Sequence, residues 1–303
     1  MVMGTLRFTP CVDSDELARQ NRRALELRYE IAASLGRSAM EAIDDGEYLT
    51  DRGLVDWSAE IQAAEAAKIS IGPNGALPDV KQRSQGDGHA ETLVTVANQT
   101  TLAAAHALSA EGHRALALNF ANGVEPGGGF LRGATAQEET LCRSSALYAT
   151  LVGDPMYNFH QDNDPAASSD WAILSPDVPV YRNDAGIEWD KPWLLSFLTC
   201  AAPYAPAIGR TESAKMLRQR IHRVLAIARA YQYETLVLGA WGCGVFGNDP
   251  LQTAKNFRSA LEDQFTGAFA RVVFAITDWS EQRRFLHPFC EVFSDRFLCH
   301  QLK

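Results

Sequence analysis

Two adjacent carboxylates, Glu138 and Glu139, stand just behind Gln137 and a short distance after three consecutive glycines, Gly127, Gly128 and Gly129. A carboxyl group with a raised pKa can protonate a leaving oxygen, and its conjugate base can then activate water, which are the two proton transfers of glycoside cleavage. Neighbours on a helix lie about 100° apart around the axis. Glu138 and Glu139 therefore cannot easily flank one bond from opposite faces, and a division of labour is expected: one acid/base, one group that positions a sugar. Acidic residues at a helix start have an ordinary explanation in the helix dipole, but that does not account for the three glycines upstream. Glycines let a backbone take positive φ and come close to a ligand, and the N–H groups of such a loop favour an anion. Gln137 is expected either to brace the cleft or to be a solvated loop residue.

A second glycine-rich stretch runs Gly239-Ala240-Trp241-Gly242-Cys243-Gly244-Val245-Phe246-Gly247-Asn248. Gly242, Gly244 and Gly247 free the backbone, so the loop 242–247, with Cys243, Val245 and Phe246, reads as a seat for a diphosphate. The helix expected from Pro250 would add its N-terminus. The chain has no GxxxxGK[ST] segment, and the surroundings of this loop do not fit a dinucleotide fingerprint. Cys243 has no histidine near it in sequence and reads as a small packing residue rather than a nucleophile. A single loop phenylalanine such as Phe246 is as readily core as ligand contact, and Asn122-Gly123 is as readily a tight turn as a binding element.

Gly-Gly-Gly, seven residues, then Gln-Glu-Glu resembles the motif of the poly(ADP-ribose) glycohydrolases. Asn119-Phe120-Ala121-Asn122 and the second glycine-rich stretch fit the same family. The resemblance is to the compact bacterial-type branch and covers roughly residues 15–280. It implies a macrodomain fold and hydrolysis of ribose–ribose O-glycosidic bonds in poly(ADP-ribose), with ADP-ribose as product and polymer or ADP-ribosylated proteins as substrate. It implies Glu139 as acid/base, Glu138 as the carboxylate that holds hydroxyls of the ribose being cut, Asn122 as a ribose contact and Phe246 as the aromatic against the distal ribose. It also implies a place in the DNA damage response. Ala201-Ala202-Pro203 is followed by Tyr204, where that branch often carries Asn. The rival readings are a macrodomain that binds ADP-ribose without cleaving it, an enzyme that removes ADP-ribose from protein side chains, and an α/β protein with an unrelated phosphate ligand. The adjacent carboxylates speak against pure binding of a polyanion.

The elements that must carry these residues alternate. Strands are expected at 92–97, 114–121, 171–174, 178–181, 194–201, 235–240 and 271–276. Helices are expected at 101–111, 138–152, 211–231 and 250–264, with Asn98 or Thr100 capping the first and Asp249 the last. Residues 14–44 read as one helical stretch, 154–169 as a surface insertion, and 280–299 as short helices. This alternation predicts a three-layer α/β/α domain with a mixed sheet, divided into an N-terminal helical extension, 1–75, packed on a catalytic core, 76–303. Both glycine-rich loops follow strands, so both can face one cleft at the carboxyl ends of the strands.

The chain has 303 residues, 46% hydrophobic and 21% charged, with net charge −9. That excess of negative charge argues against non-specific contact with nucleic acid or an anionic membrane, and leaves backbone dipoles to attract an anionic ligand. No histidine pattern indicates a metal site, and no cofactor is expected. The six cysteines, at 11, 142, 200, 243, 290 and 299, are scattered, and most read as reduced and buried. With no long apolar run, a soluble cytoplasmic protein is expected.

Overall fold

A computed structural model describes residues 4–79 and 88–295. The first part holds β1 (Thr5–Phe8), α1 (Asp15–Leu25), α2 (Tyr29–Asp45), β2 (Glu47–Thr50), β3 (Gly53–Asp56), α3 (Ser58–Ala67) and β4 (Ile69–Ile71). Then come β5 (Glu91–Ala97), α4 (Thr101–Ala110), β6 (Ala115–Ala121), a 3-10 turn at Phe130–Arg132, α5 (Gln137–Ser144), α6 (Leu147–Leu151) and α7 (Pro155–Asp162). The remainder is β7 (Ala172–Arg182), β8 (Glu188–Ala201), α8 (Ala205–Ile208), α9 (Arg210–Ala230), β9 (Thr235–Leu238), α10 (Pro250–Glu262), β10 (Arg271–Ala275) and α11 (Leu286–Val292).

The sheet is mixed, in the order β1-β5-β10-β9-β6-β8-β7-β4. The strands from β1 to β8 pair in parallel, and β7 and β4 are antiparallel to their neighbours. Alternate residues of the central strands feed different cores, as the two-residue period of a strand requires. Leu116, Leu118, Leu236 and Leu238 pack with α9, α10 and α11. Ala115, Ala117 and Val237 pack with α2, α3, α4, α5 and α6. This is the expected three-layer arrangement.

Several elements differ from expectation. The segment 1–75 is more than helices: its strands β1 and β4 form the two edges of the sheet. At three or four residues they are too short to show an alternating pattern. The stretch 14–44 is two helices, parted at Glu26–Arg28. The helix expected over 138–152 breaks at Ser145, whose hydroxyl turns back to the Leu141 carbonyl while its backbone bridges Val180. The two short strands expected at 171–181 are one strand with an irregularity between Ser175 and Val178. The insertion at 154–169 is not all surface. It contains α7, capped by Asp154, with Met156, Tyr157 and His160 buried.

Cys142, Cys200 and Cys243 are free and buried, but Cys11 and Cys290 are joined in a disulfide across 279 residues of sequence. Three of the five described cysteines are thus free and buried, in line with the reading of most as reduced, and the Cys11–Cys290 pair is an exception that spacing could not disclose. Cys299, residues 80–87 and the end of the expected helical tail lie outside the described residues.

Candidate active site

A cavity of about 780 Å³ opens at the carboxyl ends of the central strands. In sheet order, its wall takes in Gln99 and Thr100 after β5, Ile276 and Trp279 after β10, Gly242 and Gly244 after β9, and Asn122 after β6. The loops after β5 and β10 are locked together. Asn98 Nδ2 donates to the Asp278 carbonyl at 2.7 Å, and the Asp278 amide returns a bond to Asn98 Oδ1 at 3.1 Å. Asn98 is thus a cross-link, and the cap of α4 is Thr100, which accepts from the Ala103 amide at 3.0 Å. Asp278 Oδ2 accepts from the amides of Phe285 and Leu286, and so sets the position of Phe285. Phe285 lines the cavity, as do the apolar side chains of Leu25, Phe120 and Trp279.

The two carboxylates lie at the start of α5, on the same wall. Glu138 is held through both oxygens: Asn119 Nδ2 donates to Oε1 at 3.2 Å, and the Asn122 amide donates to Oε2 at 2.7 Å. Burial, and then the neighbouring Glu139, push its carboxyl up to about 8, against the pull of those donors. Glu139 is held on one side only. Oε1 accepts from the Gly129 amide at 3.0 Å, while Oε2 is buried with no protein partner. An unpaired buried carboxylate oxygen on the wall of a cavity is a costly feature unless a ligand uses it.

The triple glycine does not line the cavity. It lies behind the carboxylates. Gly128 has φ +58°, and a Cβ built on it would stand 2.5 Å from Glu139 Oε1 and 3.1 Å from Glu138 Oε2. No larger residue leaves room for both side chains. Gln137 is a brace rather than a solvated residue: Oε1 accepts from the Phe120 amide, and Nε2 donates to the Leu118 carbonyl and to Thr101 Oγ1. It pins the start of α5 to β6 and α4. Asn122 lines the cavity, but its Oδ1 accepts from the amides of Val124 and Glu125, so it is also the turn residue.

The second loop is open to the cavity. The amides of Trp241, Cys243, Gly247 and Asn248 are used within it. Those of Gly242, Gly244, Val245 and Phe246 have no protein acceptor among the described residues, an arrangement that suits an anion. Asn248 ties the loop shut, donating to the carbonyls of Pro203 and Gly242 at 2.9 and 3.1 Å. Asp249 caps α10 through the Gln252 amide at 2.7 Å, and no residue of that helix is among those that line the cavity. Cys243 faces inward onto Thr253, and burial pushes its thiol up to about 12. It is not among the residues that line the cavity. Phe246 lines the cavity and meets Tyr204 edge-on at 5.7 Å.

The sequence pattern of the family described as "Microbial-type PARG, catalytic domain" matches residues 36–183. The poly(ADP-ribose) glycohydrolase from Thermomonospora curvata is 39% identical, with a TM-score of 0.81 over 87% of this chain and 99% of that one. The chain belongs to the poly(ADP-ribose) glycohydrolase family. The Thermomonospora glycohydrolase with the inhibitor ADP-HPD bound is likewise 39% identical, with a TM-score of 0.79 over 86% of this chain and 99% of that one. The Deinococcus radiodurans poly(ADP-ribose) glycohydrolase in complex with ADP-ribose is 38% identical, with a TM-score of 0.70 over 80% of this chain and 98% of that one. No curated protein sequence matches.

Within this glycohydrolase-family fold, Asn122, Gln137, Glu138, Glu139, Gly242, Gly244, Val245 and Phe246 come together on one cavity wall. Gly127, Gly128, Gly129, Cys243 and Gly247 stand behind it. Sequence reasoning missed three contributors: Asn119, which holds Glu138; Asp184, a carboxylate on the wall that accepts from Thr100 Oγ1 at 2.6 Å; and Phe285. Asn119 sits in the quoted Asn-Phe-Ala-Asn segment and was within reach. Asp184 and Phe285 carry no local signal, because only the β7–β8 hairpin and the Asp278 turn bring them in. No helix among the described residues is long and apolar enough to cross a membrane.

Proposed function

We propose that this chain hydrolyses ribose–ribose O-glycosidic bonds of poly(ADP-ribose) and releases ADP-ribose. The observation that carries the reading is the asymmetry of the paired carboxylates. Glu139 has one oxygen anchored by the Gly129 amide and one left without a partner, whereas both oxygens of Glu138 are taken. A half-anchored carboxyl can give a proton to the leaving oxygen and take one from water without losing its position. A fully anchored one is suited to hold the ribose hydroxyls in place. The free amides at Gly242, Gly244, Val245 and Phe246 supply the diphosphate seat, and the apolar side chains of Leu25, Phe120, Trp279 and Phe285 on the wall suit the base. Two carboxylates so close to an anionic ligand would only weaken pure binding, so the non-catalytic reading is disfavoured.

The test is incubation of the protein with poly(ADP-ribose) of defined length, with product identification, for wild type and Glu139→Gln. ADP-ribose released by wild type and not by the variant is the expected result. Wild-type protein that binds ADP-ribose but releases none from the polymer would leave the binding module instead.

A further inference from the structure

The cavity wall carries three carboxylates, Glu138, Glu139 and Asp184, and among the described residues that line it there is no Lys, Arg or His. The chain as a whole is at −9. The second glycine-rich loop can seat one diphosphate, but a polymer continues past the bond being cut into a further unit with a diphosphate of its own. Nothing on the cavity wall neutralises that second group.

Arg132 is placed to do so. Its side chain is 61% exposed, in the short turn that links the triple glycine to α5. It is close to the acid/base residue and to the cavity rim: a Cβ built on Gly129 would stand 3.7 Å from Arg132 Nη2, 3.9 Å from Glu139 Oε1 and 2.9 Å from the Cβ of Ala134, which lines the cavity. Both guanidinium arms reach Glu125, one to each carboxylate oxygen. That fork-to-fork geometry is the one a guanidinium also offers to a phosphate. The Arg132–Glu125 pair is exposed, and such pairs add little net stability, so exchanging the carboxylate for a phosphate costs little. Tyr29, 60% exposed, stands beside the same turn, with its carbonyl and ring against Gly133. A cation with an exposed ring next to it suits a nucleotide.

We propose that Arg132 binds the diphosphate of the polymer unit on the leaving side of the scissile bond, and that Glu125 occupies its fork while that unit is absent. This rests on the polymer-cleaving reading above. The oxygen that Glu139 protonates belongs to the leaving unit, so that unit departs on the Glu139 side of the cavity, where Arg132 is exposed.

The experiment compares wild type, Arg132→Ala, Arg132→Lys and Glu125→Gln in steady-state turnover of poly(ADP-ribose), and in ADP-ribose binding by calorimetry. Loss of a charge-assisted bidentate contact should raise KM for polymer about tenfold in Arg132→Ala. The same variant should keep kcat within about threefold and ADP-ribose affinity unchanged, because free ADP-ribose has no leaving unit. Arg132→Lys, which keeps the charge without the fork, should fall between the two. Glu125→Gln should move KM the other way, below wild type, because it removes the competing carboxylate. If the pair merely latches the glycine turn, both variants will instead lower kcat and weaken ADP-ribose together, and that result overturns the proposal. So does an unchanged polymer KM in Arg132→Ala. A wild-type protein that releases no ADP-ribose at all would overturn the glycohydrolase reading and this subsite with it. That failure is distinguishable, because in the others the wild type is active.

Discussion

The two glycine-rich loops look alike in sequence and are built for opposite neighbours. At Gly128 an added Cβ would strike the Glu139 carboxylate at 2.5 Å, whereas at Gly244 nothing lies within 4 Å. The first loop is free of side chains so that the protein's own carboxylates can press against its backbone. The second is open at Gly244 so that something else can, while its Gly242 packs against Ala202 and Asn248. Exposure follows the same division, with Phe130 buried in the first segment and Val245 81% exposed in the second. A glycine run therefore says that something approaches the main chain closely, and not whether that something is substrate or protein.

The sharpest way to break this comparison is at the group the first loop serves. Glu139→Gln keeps the bond from the Gly129 amide but cannot transfer the proton, so turnover should fall about 10²–10⁴-fold. ADP-ribose affinity should stay within a few-fold by calorimetry. Near-normal turnover would remove Glu139 from the mechanism. Gly128→Ala attacks the cradle itself. At φ +58°, with Glu139 Oε1 2.5 Å from the new methyl, the carboxylate must move, and a displacement on the order of 1 Å can cost about 10²-fold in rate. Rate should suffer more than affinity, and equal losses in both would return the first loop to a ligand-binding role.

The second loop should show the reverse. Gly244→Val meets no protein atom, so the melting temperature should hold while ADP-ribose affinity falls about tenfold, the effect of one misplaced group at a close contact. Unchanged affinity would put the diphosphate elsewhere. The smallest effect concerns stability. Burial first, and then Glu139, raise the Glu138 carboxyl in the fold from its ordinary 4.5 to about 8. The fold thus favours the protonated form, and the stability so gained is fully present below pH 4.5 and is lost as pH rises towards 8. Gln at this position has no such loss. It can accept from the Asn122 amide, and it can donate to Asn119, whose Oδ1 is buried without a partner and whose amide can turn over. In the free protein, Glu138→Gln should melt close to wild type near pH 5 and a few degrees above it near pH 8. A difference that does not grow with pH would contradict a raised carboxyl at this site.

Much of this was legible from local chemistry. Thr100 and Asp249 cap their helices as their types and positions suggest. The buried strands β6 and β9 show as apolar runs, and the spacing of Gly-Gly-Gly and Gln-Glu-Glu already placed two carboxylates beside a glycine turn. These features depend on neighbours a few residues away, so the chain's own order discloses them. The edges of the sheet, the Cys11–Cys290 bond, the Asn98–Asp278 lock and the arrival of Asp184 at the wall each join residues that sequence distance separates widely. The same holds for the meaning of the glycines and for the unequal anchoring of Glu138 and Glu139. Sequence adjacency put the two carboxylates together, but burial and the direction of each donor's N–H are properties of the packed molecule. Those packed neighbours decided which carboxylate is held at both oxygens and which has one left free.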